Sequence, residues 1–185
     1  MIDRRVARTR TALFDALVLL VRRKPYDDIR VADILREAGV GRATFYAHFT
    51  SKDDLLERSM DRLRELLMLE ENSAAGTSLV RALFDHIAEH RDIPIALSGG
   101  KGATIIGYAL DRVLTERLRA KLPTSSPSGW PRELFIRHAV SCCDTVLSWW
   151  LEREPRLTAG EAYSLFKQLI VGTGSASAEG WSDCL

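Results

Sequence analysis

The segment at residues 31–55, VADILREAGVGRATFYAHFTSKDDL, constrains the fold more than any other part of the chain, because it reads as two short helices set around a glycine turn. Ala32, Ile34, Leu35 and Ala38 recur at helical spacing, and Gly39 supplies the left-handed cap that ends the first helix. Val40 then plugs the angle. In the second amphipathic turn Ala43, Phe45 and Phe49 would point inward, while Arg42, Thr44, Tyr46, Ala47 and His48 face outward. Helix, short glycine turn and helix make the helix-turn-helix, whose second helix lies in the major groove of duplex DNA.

The outward residues carry suitable chemistry. Arg42, at the start of the second helix, can grip a guanine edge with two hydrogen bonds or bind a phosphate. Thr44, Tyr46 and His48 offer hydroxyl and imidazole groups to phosphates, and Ala43 and Ala47 are small enough to meet a thymine methyl. The alternative is a helical corner whose polar residues are merely solvated. Charge favours the first reading. The net charge is only +1, yet residues 1–52 carry 11 Lys and Arg against 6 Asp and Glu, so a basic N-terminal unit sits on a mildly acidic remainder. Arg4, Arg5, Arg8 and Arg10 form a basic N-terminal arm that either follows the minor groove or phosphates, or is a solvated terminus.

Helical patterning extends over the rest of the chain. Val6, Leu13, Phe14, Leu17, Val18, Leu20 and Val21 keep a stripe over residues 4–23 that Pro25 ends, and its inner face would cover the helix-turn-helix. Ser51 to Asp54 fits an S-x-x-D capping signal, so a long fourth helix should run from Lys52 to about residue 70. Further helices are expected near residues 79–90, 95–98, 103–121, 132–153 and 158–171. Turn and loop composition marks residues 72–78 and 123–131, and the tail after Gly172 reads as frayed. The result is an all-α chain of about nine helices, divided into a DNA-binding region at residues 1–52 and a helical region at residues 53–185.

Ile34, Ala38-Gly39-Val40, Thr44-Phe45-Tyr46, His48-Phe49 and Ser51-Lys52-Asp53-Asp54-Leu55 together resemble the signature of the tetracycline-repressor (TetR) family of bacterial one-component regulators, over residues 5–56. Two positions depart from that pattern. Arg30 stands where a capping Thr is usual, so the first motif helix would be capped otherwise, from Asp27 or Asp28, and Gly41 stands where Ser is common. The resemblance places Lys52 against the DNA backbone. It also implies a cytoplasmic homodimeric regulator, a repressor of a palindromic operator, released when a small and mainly apolar effector enters the C-terminal region and moves the fourth helix. An activator, a regulator without a ligand, and a helical ligand-binding or scaffold protein with a vestigial motif remain as alternatives.

Two features of the C-terminal region bear on this. Phe135, Ala139, Cys142, Val146 and Trp149 recur at helical spacing, as do Leu165, Phe166, Leu169 and Ile170. Such helices paired with their symmetry mates make a four-helix bundle, or else they serve an internal core; the resemblance favours the dimer. Phe84, Ile87, Ile105, Tyr108, Val113, Trp130, Leu147 and Trp150 would line an effector cavity with Tyr108 as polar handle, against the alternative of a filled core.

Other chemistries find no support. Cys142, Cys143 and Cys184 are odd in number and lack metal or disulfide spacing, which suits a reducing cytoplasm. His86 and His90 stand four apart without a third ligand, and Gly99-Gly100 with Gly102 lacks the strand of a phosphate loop. No signal peptide, membrane span, cofactor motif or catalytic constellation is recognisable, so an enzyme is not expected.

Overall fold

A computed structural model describes residues 4–71, 78–122 and 131–173, and these are helical throughout apart from turns and short links. The helices are α1 (Arg4–Val21), α2 (Val31–Ala38), α3 (Arg42–Tyr46), α4 (Lys52–Glu71), α5 (Leu79–Glu89), α6 (Asp92–Leu97), α7 (Gly100–Lys121), α8 (Arg132–Glu152) and α9 (Ala159–Thr173), with a 3-10 turn at Tyr26–Asp28. Among the described residues none is long and apolar enough to cross a membrane.

Local chemistry explains most helix boundaries. Gly39 closes α2 in the left-handed conformation, at φ 63° and ψ 31°, with its N–H donating to the Leu35 carbonyl. Ser51 starts α4 by accepting the Asp54 N–H at 3.1 Å, while the Asp54 carboxylate accepts the Thr50 N–H at 2.8 Å. Thr158 and Glu161 make the reciprocal pair before α9, at 3.2 and 2.8 Å. At the far end of α7, the Arg132 guanidinium donates to the carbonyls of Arg119 and Leu122. α7 begins at Gly100, three residues before the expected start, because the Asp27 carboxylate accepts the Lys101 N–H at 3.4 Å and supplies a cap from a distant part of the chain.

Two compact units result, one formed by the residues up to Leu63 with Asp92–Ala109, the other by Arg64–Arg91 with the residues from Leu110 onward. The first unit therefore does not end at residue 52. Leu55 and Leu56 of α4, and Leu97 of α6, are buried in the same core as Leu13, Leu17, Leu20, Ile34, Phe45 and Phe49. In the second unit Phe84 stacks on Trp150 with ring centroids 5.7 Å apart, and Phe166 lies 6.2 Å from Phe84. Trp150 is fully buried, and its indole N–H donates to the Leu157 carbonyl at 2.9 Å. Arg91 covers the same ring at 4.7 Å and donates to the Trp150 carbonyl at 2.7 Å.

Trp150→Ala should therefore destabilise the protein by about 3–5 kcal/mol in chemical denaturation. Tyr108→Ala, at a side chain 75% exposed, should change stability by less than about 0.5 kcal/mol. Equal losses at the two positions would refute this assignment of core and surface.

Candidate nucleic-acid interface

The helix-turn-helix is built from α2 and α3, and α1 packs across α2. α3 has only five residues, too few to be stable alone. Its position comes from Phe45, which is fully buried, and from Phe49 just beyond it, which meets Phe14 of α1 edge to face at 5.7 Å. The same burial turns Arg42, Ala43, Thr44, Tyr46 and Ala47 outward, with His48 half-buried. Ala43, expected to point inward, is exposed, because a helix this short buries only one residue per turn and that residue is Phe45. Arg42 lies over the Tyr46 ring at 5.6 Å, so both side chains stand together on the free face.

The cap of α2 differs from expectation. Neither Asp27 nor Asp28 supplies it; the Asp33 carboxylate, three residues into the helix, accepts the Arg30 N–H at 3.1 Å. Asp33 also holds Lys24 at 2.7 Å and Arg36 at 2.8 Å. The Lys24 ammonium, then the Arg30 N–H, lower its pKa to about 2.

Lys52 does not point freely toward a DNA backbone. Its ammonium donates to the Tyr26 carbonyl at 2.7 Å and the Asp27 carbonyl at 3.1 Å, and it sits 4.4 Å from the centre of the Tyr26 ring. An ammonium has three donors, and two are spent on closing the 3-10 turn. The sequence offered no sign of this, since the partners lie 26 and 25 residues away. Arg4, Arg5, Arg8 and Arg10 likewise form no extended arm: they lie on the first turns of α1, where Arg10 reaches over Phe49 at 5.9 Å.

The residues assigned to an effector cavity divide between the two units. Ile105 packs against the first core, and Tyr108 is largely exposed on α7 rather than a handle inside a pocket. Phe84, Ile87, Val113, Leu147 and Trp150 are buried in the second unit, where the rings of Phe84 and Trp150 pack against each other. Trp130 and Cys184 lie outside the described residues. A groove of about 570 Å³ does open on the second unit, lined by Arg81, Leu157, Thr158, Gly160, Glu161, Ser164, Leu165 and Gln168 rather than by the residues expected to form the cavity.

The stripes proposed for a dimer contact are also redistributed. Phe135, Val146 and Phe166 are buried within the chain, Cys142 and Leu165 are half-buried, and Trp149 and Leu169 are exposed at 40% and 50%. α8 is apolar on two faces, so its periodicity did not show which face turns inward. Leu134, at 54% exposure, joins the outer set. His86 and His90 meet edge to face at 4.6 Å, with burial, then His90, lowering the His86 pKa. Among the described residues no three metal-binding side chains gather. Cys142 and Cys143 are free thiols, and burial pushes the Cys143 thiol up.

Comparison with known proteins agrees with this geometry. Residues 13–58 match the family of bacterial regulatory proteins, tetR family. Over 62 residues the chain is 44% identical to an uncharacterized HTH-type transcriptional regulator, YxbF, of Bacillus subtilis (strain 168); the match covers 33% of this chain and 16% of that protein. The chain thus spans less than a fifth of that relative's length. A TetR transcriptional regulator from Streptococcus agalactiae 2603V has the same fold at 22% identity, with a TM-score of 0.64 over 91% of this chain and 96% of its own. The regulator FadR from Bacillus subtilis, solved in complex with stearoyl-CoA, aligns at 19% identity and TM-score 0.58 over 88% of this chain and 98% of its own.

Arg42 and Lys52 should separate reading from support. Arg42→Ala should relax preference at one base pair by about 1–3 kcal/mol in competition binding. Lys52→Met should lower the melting temperature while leaving the dependence of DNA affinity on salt unchanged; a fall of about one in that slope would mean that Lys52 binds a phosphate after all. A second outcome concerns acid. Because the folded pKa of Asp33 lies below the unfolded value, its contribution is complete above the ordinary carboxylate range and is lost as pH falls through about 2. The melting-temperature gap between wild type and Asp33→Asn should accordingly shrink as pH is lowered from 6 toward 2. A gap independent of pH would show that the charge of Asp33 does not hold the turn.

Proposed function

We propose that this chain, whose residues 13–58 are a DNA-binding region of the TetR family, works as a transcriptional repressor that grips a palindromic operator as a homodimer. The observation that carries the reading is the outward set on α3: Arg42, Thr44 and Tyr46 are all exposed on a helix fixed from behind by Phe45. One such helix reaches only a few base edges. Two copies related by a two-fold axis, with half-sites a helical turn apart, double the contacts and match a palindrome.

The second copy would dock on the outer face of α8 and α9, where Leu134, Trp149 and Leu169 expose apolar surface. Control by a small, mainly apolar effector is the finer part of the reading. It is supported by two helices, α4 and α7, that each contribute residues to both units, and by the FadR relative solved with stearoyl-CoA. An effector acts by binding one conformation better than another, so it must raise the melting temperature and release DNA over the same concentration range. TetR-family regulators are not enzymes, and the residues named here act by binding.

Selection of bound duplexes from a random pool should return a palindrome whose affinity falls steeply with salt. Recovery of no preferred sequence would reject the reading. Leu169→Glu should give a folded monomer in sedimentation, with weakened operator binding, whereas Phe166→Glu should unfold the chain by placing a charge in its own core. A Leu169→Glu protein that remains dimeric would move the interface elsewhere.

A further inference from the structure

The start of α7 is fitted closely to the first unit, through an ion pair between residues 48 positions apart in the chain, Lys101 and Asp53 of α4. Lys101, the second residue of α7, places its ammonium on the Asp53 carboxylate at 2.5 Å and its backbone N–H on Asp27 at 3.4 Å. Asp53 is itself the second residue of α4, and it also accepts the Tyr26 hydroxyl at 2.6 Å. Glycines make the approach possible. Gly100 has φ +62°, and a Cβ there would collide with the Asp27 carboxylate; a Cβ on Gly102 would press on the Tyr26 ring and Leu97 at 3.2 Å. The 3-10 turn is therefore clasped from both sides, by Lys52 and Asp53 of α4 and by Gly100, Lys101 and Gly102 of α7.

We propose that Lys101 is a positioning residue for DNA recognition: by tying the start of α7 to Asp53, it fixes the first turn of α4 and through it the presentation of α3. The inference rests on the DNA-binding reading above. The link from α3 to Asp53 is short and continuously bonded. The N–H groups of His48 and Phe49 donate to the Phe45 carbonyl at 2.9 Å, Thr50 donates to Asp54, and Ser51 caps α4. A rotation of the α4 start thus has no slack to absorb it before α3. Lys101 does this without touching DNA, since its ammonium is engaged by Asp53.

The test uses full-length protein and the duplex recovered by selection. Lys101→Met should weaken operator affinity by about fivefold, the scale of a partly exposed ion pair, with the salt slope unchanged. Lys101→Arg should restore affinity to within about twofold. Asp53→Asn keeps an acceptor for Tyr26 while removing the charge; combined with Lys101→Met it should cost no more than either change alone. Arg22→Met, which breaks the Arg22–Asp92 pair, another solvent-accessible ion pair of the same unit, should leave affinity unchanged. Amide hydrogen exchange at residues 53–56 should quicken in Lys101→Met even without DNA. Wild-type affinity in Lys101→Met overturns the proposal, as does a salt slope reduced by about one, which would make Lys101 a phosphate contact. An equal loss in Arg22→Met would reduce the effect to general stability. If wild type binds no duplex, the DNA-binding reading fails first, and that result is distinct from a variant that matches a binding wild type.

Discussion

Burial of Phe45 and Phe49 is the constraint on which the presentation of the DNA-reading surface depends. A five-residue helix makes very few of its own hydrogen bonds and would not persist in water. Packed under α1, the two rings convert a helical turn into a fixed platform, and they orient every other side chain of that turn by exclusion. Arg42, Thr44 and Tyr46 face solvent because Phe45 does not. The exposed polar face thus has a hydrophobic origin: the apolar contact sets the geometry in which the polar groups are presented.

The charges of the first unit act in two different ways. Lys24, Lys52 and Lys101 look like an anion-binding surplus when counted along the chain, but each is engaged with carboxylates or carbonyls of the same unit. Burial alone would raise the Asp53 pKa; its bonds to Lys101 and Tyr26 outweigh that and lower it, while burial and the same carboxylate raise the pKa of Tyr26. These groups shape the unit around the 3-10 turn. Arg4 and Arg8 on α1 and Arg42 on α3 are exposed, and with the three lysines engaged internally the formal excess of positive charge overstates the surface open to an external polyanion.

The second unit follows a simpler logic. Its interior is aromatic, with Phe84 meeting both Trp150 and Phe166 and the Trp150 indole N–H satisfied by a carbonyl. Its outer face keeps Leu134, Trp149 and Leu169 in solvent.

The sequence by itself determined the local grammar: which residues form helices, where Gly39 must turn left-handed, how Ser51 and Asp54 begin α4, and that a short second helix follows the glycine turn at Arg42. Those features depend on neighbours within four or five positions, so periodicity and capping chemistry expose them. Partnerships between distant residues were decided only by the tertiary structure. The family resemblance places Lys52 against a phosphate, whereas its carbonyl partners on the 3-10 turn lie 26 and 25 residues away and are invisible to local pattern. Phe166 and Leu169 share one apolar helix yet face core and solvent respectively, a choice made by which elements pack against α9. Tyr108 is in solvent for the same reason. Helical spacing fixes the angle between two side chains on one helix, but only the packing of the other helices decides which angle is inside.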